Sequence, residues 1–221
     1  MNQIGEVSLV LSLIISLFVV VASVAAARAR LPWLRTSARR GVLVVCGLTT
    51  LASIALLYAF LTRDFQVAYV YNYSSSDLST FYTMSAFWAG QEGSLLLWAW
   101  VLSIFAAMTV YQTRNRNTEL APYIIAVIGA VQVFFFAVMV FGSPPFALLG
   151  YTPAEGYGLN PMLTSPGMIF PPPTLYLGYV GFTVPFAYCL AALMTGRLGD
   201  QWIKSTRRWT LFSWLFLTLG N

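Results

Sequence analysis

The sequence predicts an all-α polytopic membrane protein: five full transmembrane helices, a truncated sixth, the N-terminus outside, and irregular outer loops. Three observations carry that expectation. Apolar residues make up 58% of the 221 positions and charged residues only 9%, where an ordinary soluble domain has about a quarter charged. Apolar runs of the roughly 20 residues that a bilayer core requires recur along the chain. The basic residues gather in alternate loops. With a mean hydropathy of +0.73, a soluble domain of this size cannot hide its apolar surface. That excludes a soluble enzyme, a disordered tail and a nucleic-acid module, despite a net charge of +5.

The first run covers 7–27, holds no charge, and has no basic segment before it, so it reads as a retained helix rather than a signal peptide. Further runs cover 41–61, 87–111 (with Glu92 near its start), 121–141 and 172–194. A sixth covers 209–221, and these thirteen residues rise only about 20 Å against a span of about 30 Å. A helix ending at that depth needs a partner helix or further chain over its carbonyls.

Charge sets the orientation. Arg28, Arg30, Arg35, Arg39 and Arg40 follow the first helix. Arg114 and Arg116 follow the third, and Arg197, Lys204, Arg207 and Arg208 follow the fifth. That is eleven of the twelve basic residues, Arg63 being the exception, while Glu6, Asp64, Asp77, Glu92 and Glu155 fall on the other side. By the positive-inside rule the basic loops face the cytoplasm, so the basic excess reflects topology and no nucleic-acid partner is implied. Trp33, Trp202 and Trp209 sit near one membrane surface, and Tyr69, Tyr71, Tyr73 and Tyr82 near the other, as interfacial belts do. The chain has no histidine, which excludes a His-based triad and any His-ligated metal or haem within it. Cys46 and Cys189 are isolated and read as packing residues.

The outer loops, 62–86 and 142–171, hold the unusual content. The first is rich in Tyr, Ser and Asn, and Gln66–Tyr73 offers an alternating run that can pair as a short strand. The second carries Pro144, Pro145, Pro153, Pro161, Pro166 and Pro171, which point to a rigid irregular platform. Between them lies Trp88-Ala-Gly-Gln-Glu-Gly-Ser-Leu-Leu-Leu-Trp98, a glycine-bounded turn running straight into a helix. An ionisable residue at membrane depth marks Glu92 for function, though a carboxylate there also suits the helix dipole and serves as a simple cap. In Pro171–Phe182, Gly178 and Gly181 share a face open to close helix approach. Tyr176 and Tyr179 occupy the neighbouring stripe, within reach of hydrogen bonds in the bundle.

These segments resemble a known family. Trp88 to Trp98 is similar to the Trp-Gly-Gly-His/Gln-Glu-Gly-Ser-Leu-Leu-Leu-Trp signature of the CcmF/NrfE haem lyases of cytochrome c maturation. Asp64–Tyr71, Asn160–Leu163, Ser165–Met168, Pro172–Phe182 and Trp209–Gly220 resemble further motifs of that family in the same order. The resemblance implies a bacterial inner-membrane protein rather than an organelle one, with haem as its cofactor. Such a protein takes haem from the chaperone CcmE and attaches it to apocytochrome c on the outer face. The other implied partners are CcmH-type thiol factors, membrane lipid and the CcmF C-terminal part that carries the tryptophan-rich loop. Trp88, Gln91, Glu92, Trp98, Tyr176 and Tyr179 are the candidate haem- or partner-contacting residues.

Two departures follow. Pro171 stands where the family carries a haem-ligand histidine. Met162 and Met168 are soft substitutes in principle, but apolar packing is the simpler reading of both. The resemblance also covers only the N-terminal portion of a family member, which implies one subunit of a split protein or a piece of a longer frame. The aborted sixth helix favours the second. No residue of this chain is expected to be catalytic by itself, and no metal site is expected. Rival readings are a transporter of haem or a small solute, for which Glu92 is the one plausible intramembrane group, and a non-catalytic scaffold subunit.

Overall fold

The computed structural model describes residues 1–114, 119–164, 167 and 169–221. Within these, α1 (Asn2–Ala29) and α2 (Pro32–Leu61) form an antiparallel hairpin. The turn is short because Arg30 takes a left-handed conformation (φ 53°) and Pro32 opens the next helix, where its missing N–H costs nothing. Two short helices follow, α3 (Ala68–Tyr73) and α4 (Thr80–Ser85), then a 3₁₀ turn at Ala86–Trp88. After these come α5 (Gln91–Gln112), α6 (Ala121–Phe141), α7 (Pro171–Gly181), α8 (Thr183–Thr195) and α9 (Gln201–Gly220), with a second 3₁₀ turn at Pro161–Thr164. Five segments are long and apolar enough to cross a membrane: α1, α2, α5, α6, and α7 with α8 taken together.

The packing is inverted relative to a soluble bundle. On α1 the buried stripe holds small and hydroxyl residues, among them Gly5, Ser8, Ser12, Ser16, Ala22 and Ser23. Val7, Ile14 and Val21 face outward, with Val21 67% exposed. In lipid there is little hydrophobic gain from helix association, so close backbone approach through small residues supplies the contact. Several buried hydroxyls are satisfied by folding back on the carbonyl one turn earlier: Ser12 on Ser8 at 2.7 Å, Thr49 on Val45 at 2.7 Å and Ser53 on Thr49 at 2.9 Å, whereas the Ser16 and Ser23 hydroxyls are buried without a partner. α1, α2, α5 and α6 make the main body, α8 packs chiefly on α6, and α7 chiefly on α9. Trp100 Nε1 donates to Thr50 Oγ1 (2.9 Å), joining α5 to α2, and Trp209 Nε1 donates to Gln112 Oε1 (2.9 Å), joining α9 to α5.

Several boundaries differ from expectation. The second helix begins at Pro32 rather than near residue 41, so Trp33, Arg35, Arg39 and Arg40 are helical. The third begins at Gln91, because 86–88 forms a separate 3₁₀ turn. The fifth is broken at Phe182. Pro185 lacks the N–H that would bond back to Gly181 and its ring crowds that carbonyl, so the helix restarts there. The sixth begins at Gln201 rather than Trp209, its polar first turn supported by Lys204–Asp200 at 2.6 Å. The run Gln66–Tyr73 does not form a strand, since Ala68–Tyr73 is helical. Only Val67 pairs, in an antiparallel bridge with Leu148, flanked by Ala68 N–H to Ala147 O (2.8 Å) and Leu149 N–H to Gln66 O (2.8 Å). The two long loops are thus folded onto each other.

Candidate functional site

The described arginines and Lys204 cluster with the C-terminal ends of α1, α5 and α8, whereas α3, α4, the proline-rich loop and the N-termini of α5 and α7 gather at the opposite end. Arg63 again stands apart: its guanidinium donates to Leu78 O (3.2 Å) in the aromatic end. Arg116 lies outside the described residues.

At the aromatic end the organising group is Tyr69, 3% exposed on α3. Its hydroxyl accepts the Gly90 N–H (3.0 Å) and faces the carbonyl oxygens of Ala86 and Phe87, each at 3.2 Å. One phenol therefore closes the turn that leads into α5. Burial pushes this phenol well above its ordinary value, although the Gly90 N–H opposes the shift. The neighbouring Tyr73 phenol is also raised, first by burial and then by the negative charge of Glu92. Gly93 is required by close approach: a Cβ there would overlap the Phe87 carbonyl oxygen and lie 2.5 Å from the Tyr69 hydroxyl.

The candidate residues fall into two groups. Trp98 and Tyr176 converge, and Trp88 is joined to them through its backbone carbonyl. Ser94 Oγ donates to the Trp88 carbonyl (3.0 Å), and the Tyr176 hydroxyl donates to Ser94 Oγ (3.1 Å). The Trp98 ring meets both Tyr176 and Phe135 edge-on, with centroids 5.4 Å away in each case. Its Nε1 is buried without a hydrogen-bond partner. Glu92 is half-buried in the first turn of α5, and Gln91 is exposed, its Nε2 donating to Ser143 Oγ (3.2 Å) across to the second loop. Tyr179 does not join them: it lies almost one turn further along α7 and is 56% exposed. Pro171 is the half-buried first residue of α7.

Sequence reasoning had counted Tyr69 as one belt tyrosine among four and had given Ser94 and Phe135 no role. It also passed over Gln132 on α6, which is 1% exposed and has a buried Nε2 without a partner. A glutamine in an otherwise apolar run was the available signal. Met162 is 78% exposed rather than packed, its N–H held by Asn160 Oδ1 (3.0 Å). Ser165, Pro166 and Met168 lie outside the described residues. Among the described residues, no group of three or more Cys, Asp or Glu side chains is placed to hold a metal ion.

The folded loops are locked to each other beside this cluster. The Ser76 N–H donates to Glu155 Oε1 (2.7 Å), and hydrogen bonds from Ser76 and Gly156 hold the Glu155 carboxyl below its ordinary value. The Tyr71 ring packs at a tilt on that of Tyr157 (centroids 4.7 Å away), and the hydrogen bond with Tyr157 is the main cause that pushes the Tyr71 phenol up to about 12.

Fold and site together define a multi-pass helical membrane protein with an ordered aromatic cluster at the end opposite its basic loops. The chain belongs to the cytochrome c assembly protein family, whose model matches residues 88–221. It is 38% identical over 219 residues to the cytochrome c-type biogenesis protein CcmF of Haemophilus influenzae, a match covering 99% of this chain and 34% of that relative. It is 42% identical over 170 residues to CcmF of Escherichia coli (76% of this chain, 26% of the relative). The cytochrome c-type biogenesis protein NrfE of H. influenzae is 42% identical over 172 residues (78% and 27%). A solved structure titled cytochrome c heme lyase CcmF superposes with a TM-score of 0.86 at 30% identity, over 99% of this chain and 34% of that one. The chain therefore spans about a third of the length of the relatives that it matches end to end, on their N-terminal part.

Proposed function

We propose that this chain serves cytochrome c maturation by shaping the outer mouth of a CcmF-type haem lyase in the bacterial inner membrane. The carrying observation is the linked set Tyr69–Gly90–Ser94–Tyr176–Trp98, which fixes aromatic walls at the membrane surface with one indole N–H unpartnered. Haem is the substrate in this reading. It arrives from CcmE and leaves joined by thioether bonds to apocytochrome c, with CcmH-type factors keeping the cysteines reduced. The residues present do not suit axial ligation of iron, since the chain has no histidine and Pro171 stands at the family's ligand position. Iron ligation and bond formation belong to the C-terminal part of the lyase, which carries the tryptophan-rich loop. The role of this chain is to bind an apolar macrocycle edge, orient it and exclude water, with Trp88, Trp98 and Tyr176 as walls and Gln91 and Glu92 at the rim.

The test is holocytochrome c yield in cells whose level of this protein is matched to wild type. Tyr176→Phe, which loses one hydrogen bond worth about 1 kcal/mol, is expected to lower yield about fivefold. Glu92→Gln is expected to lower it as well, while Tyr179→Phe leaves it unchanged. Wild-type yield from both Tyr176→Phe and Glu92→Gln would sink the proposal in favour of a scaffold role. Haem export that continues without any cytochrome c would instead favour a transporter.

A further inference from the structure

The basic end of the bundle holds a concavity that the proposed function does not use. Arg30 after α1, Arg35 and Arg39 in the first turns of α2, Arg114 after α5 and Arg197 after α8 line one cavity of about 880 Å³. Among its described lining residues the single carboxylate is Glu119, which is already engaged by Arg197. The Arg39 guanidinium is pinned by donation to the Thr113 carbonyl (3.0 Å), yet its Nε is buried without a hydrogen-bond partner. The positive-inside rule explains why arginines occur in these three loops. It does not explain why they converge on one hollow, since gathered like charges oppose the fold unless an anion offsets them.

We infer that this cavity holds the phosphate-bearing head group of an anionic phospholipid. Guanidinium forks match phosphate oxygens in charge and in geometry. The depth is right: α2 has 30 residues and is about 45 Å long, well beyond a hydrocarbon core of about 30 Å. Its first turns, with Arg35 and Arg39, therefore lie at head-group level. The rim is apolar where an acyl chain would leave, with Leu31 36% and Met194 57% exposed. Basic pockets between membrane helices on the cytoplasmic side take anionic head groups in this way. A soluble phosphate shares the chemistry of the arginines but has no use for the rim.

Native mass spectrometry of the protein purified from its own membrane tests this. Cardiolipin, phosphatidylglycerol and phosphatidylcholine are titrated onto delipidated protein. The two anionic lipids are expected to be retained about tenfold better than phosphatidylcholine, with millimolar inorganic phosphate unable to displace them. Arg30→Gln and Arg114→Gln, both at exposed side chains, are expected to lower retention about fivefold each, with the unfolding temperature in detergent unchanged. Arg39→Gln is expected to do more, but it also frees the Thr113 carbonyl, so the Arg30 and Arg114 variants decide. Equal retention of phosphatidylcholine overturns the inference, as does wild-type retention in both of those variants. Displacement by inorganic phosphate overturns it in favour of a soluble-anion site.

Discussion

At the scale of single residues, the turn into α5 depends on one hydroxyl and one missing methyl group. The Tyr69 hydroxyl takes the Gly90 N–H in a site that water does not reach. Tyr69→Phe keeps the ring and strands that donor, a loss of about 1–3 kcal/mol. It is therefore expected to lower the thermal midpoint of the detergent-solubilised protein, whereas Tyr179→Phe leaves it in place. An unchanged midpoint in Tyr69→Phe would show that the turn is held by other contacts. The tryptophan–glycine signature was legible in the sequence because its residue types are unusual together. Tyr69 was not legible, because what singles it out is a buried hydroxyl facing a turn about twenty residues later, and no local pattern encodes that.

At the scale of elements, the five spans could be read because a lipid-facing helix must be apolar for about 20 residues whatever it packs against. Helix ends were less legible, since arginine-bearing turns beyond the hydrocarbon fold as helix without any hydropathy signal, as in α2 and the start of α9. The break at Phe182 had a signal in Pro185 that hydropathy averages away. The close helix approach expected at Gly178 is present, and its partner is α9: a Cβ there would lie 2.9 Å from the Leu217 amide nitrogen. Gly178→Ala must therefore push two backbones apart, at a cost of about 1–3 kcal/mol. It is expected to weaken a Thr174-to-Gly220 cysteine cross-link, which wild-type spacing permits. A cross-link formed at the wild-type rate would mean that α9 moves aside freely.

At the scale of the whole molecule, orientation followed from charge alone, but the folding of the two long loops onto each other did not. That contact joins residues far apart in sequence, such as Val67 with Leu148 and Ser76 with Glu155. Its pH dependence has a definite sign. The Glu155 carboxyl is lowered in the folded chain, so its contribution is complete above the ordinary value of 4.5 and disappears as pH falls through the lower folded value. Amide exchange at Ser76, corrected for its intrinsic pH dependence, is expected to accelerate on acidification in wild type and to be fast at all pH values in Glu155→Gln. Equal protection in both would remove Glu155 from the contact. The interruption at Phe182 has a mechanical consequence. Because α7 packs chiefly on α9 while α8 packs chiefly on α6, a single membrane crossing is shared between two packing partners. Load placed on α9 would therefore reach the Tyr176–Ser94 bond through α7, like a cable past a knuckle, while α8 shares its hold between α6 and α9.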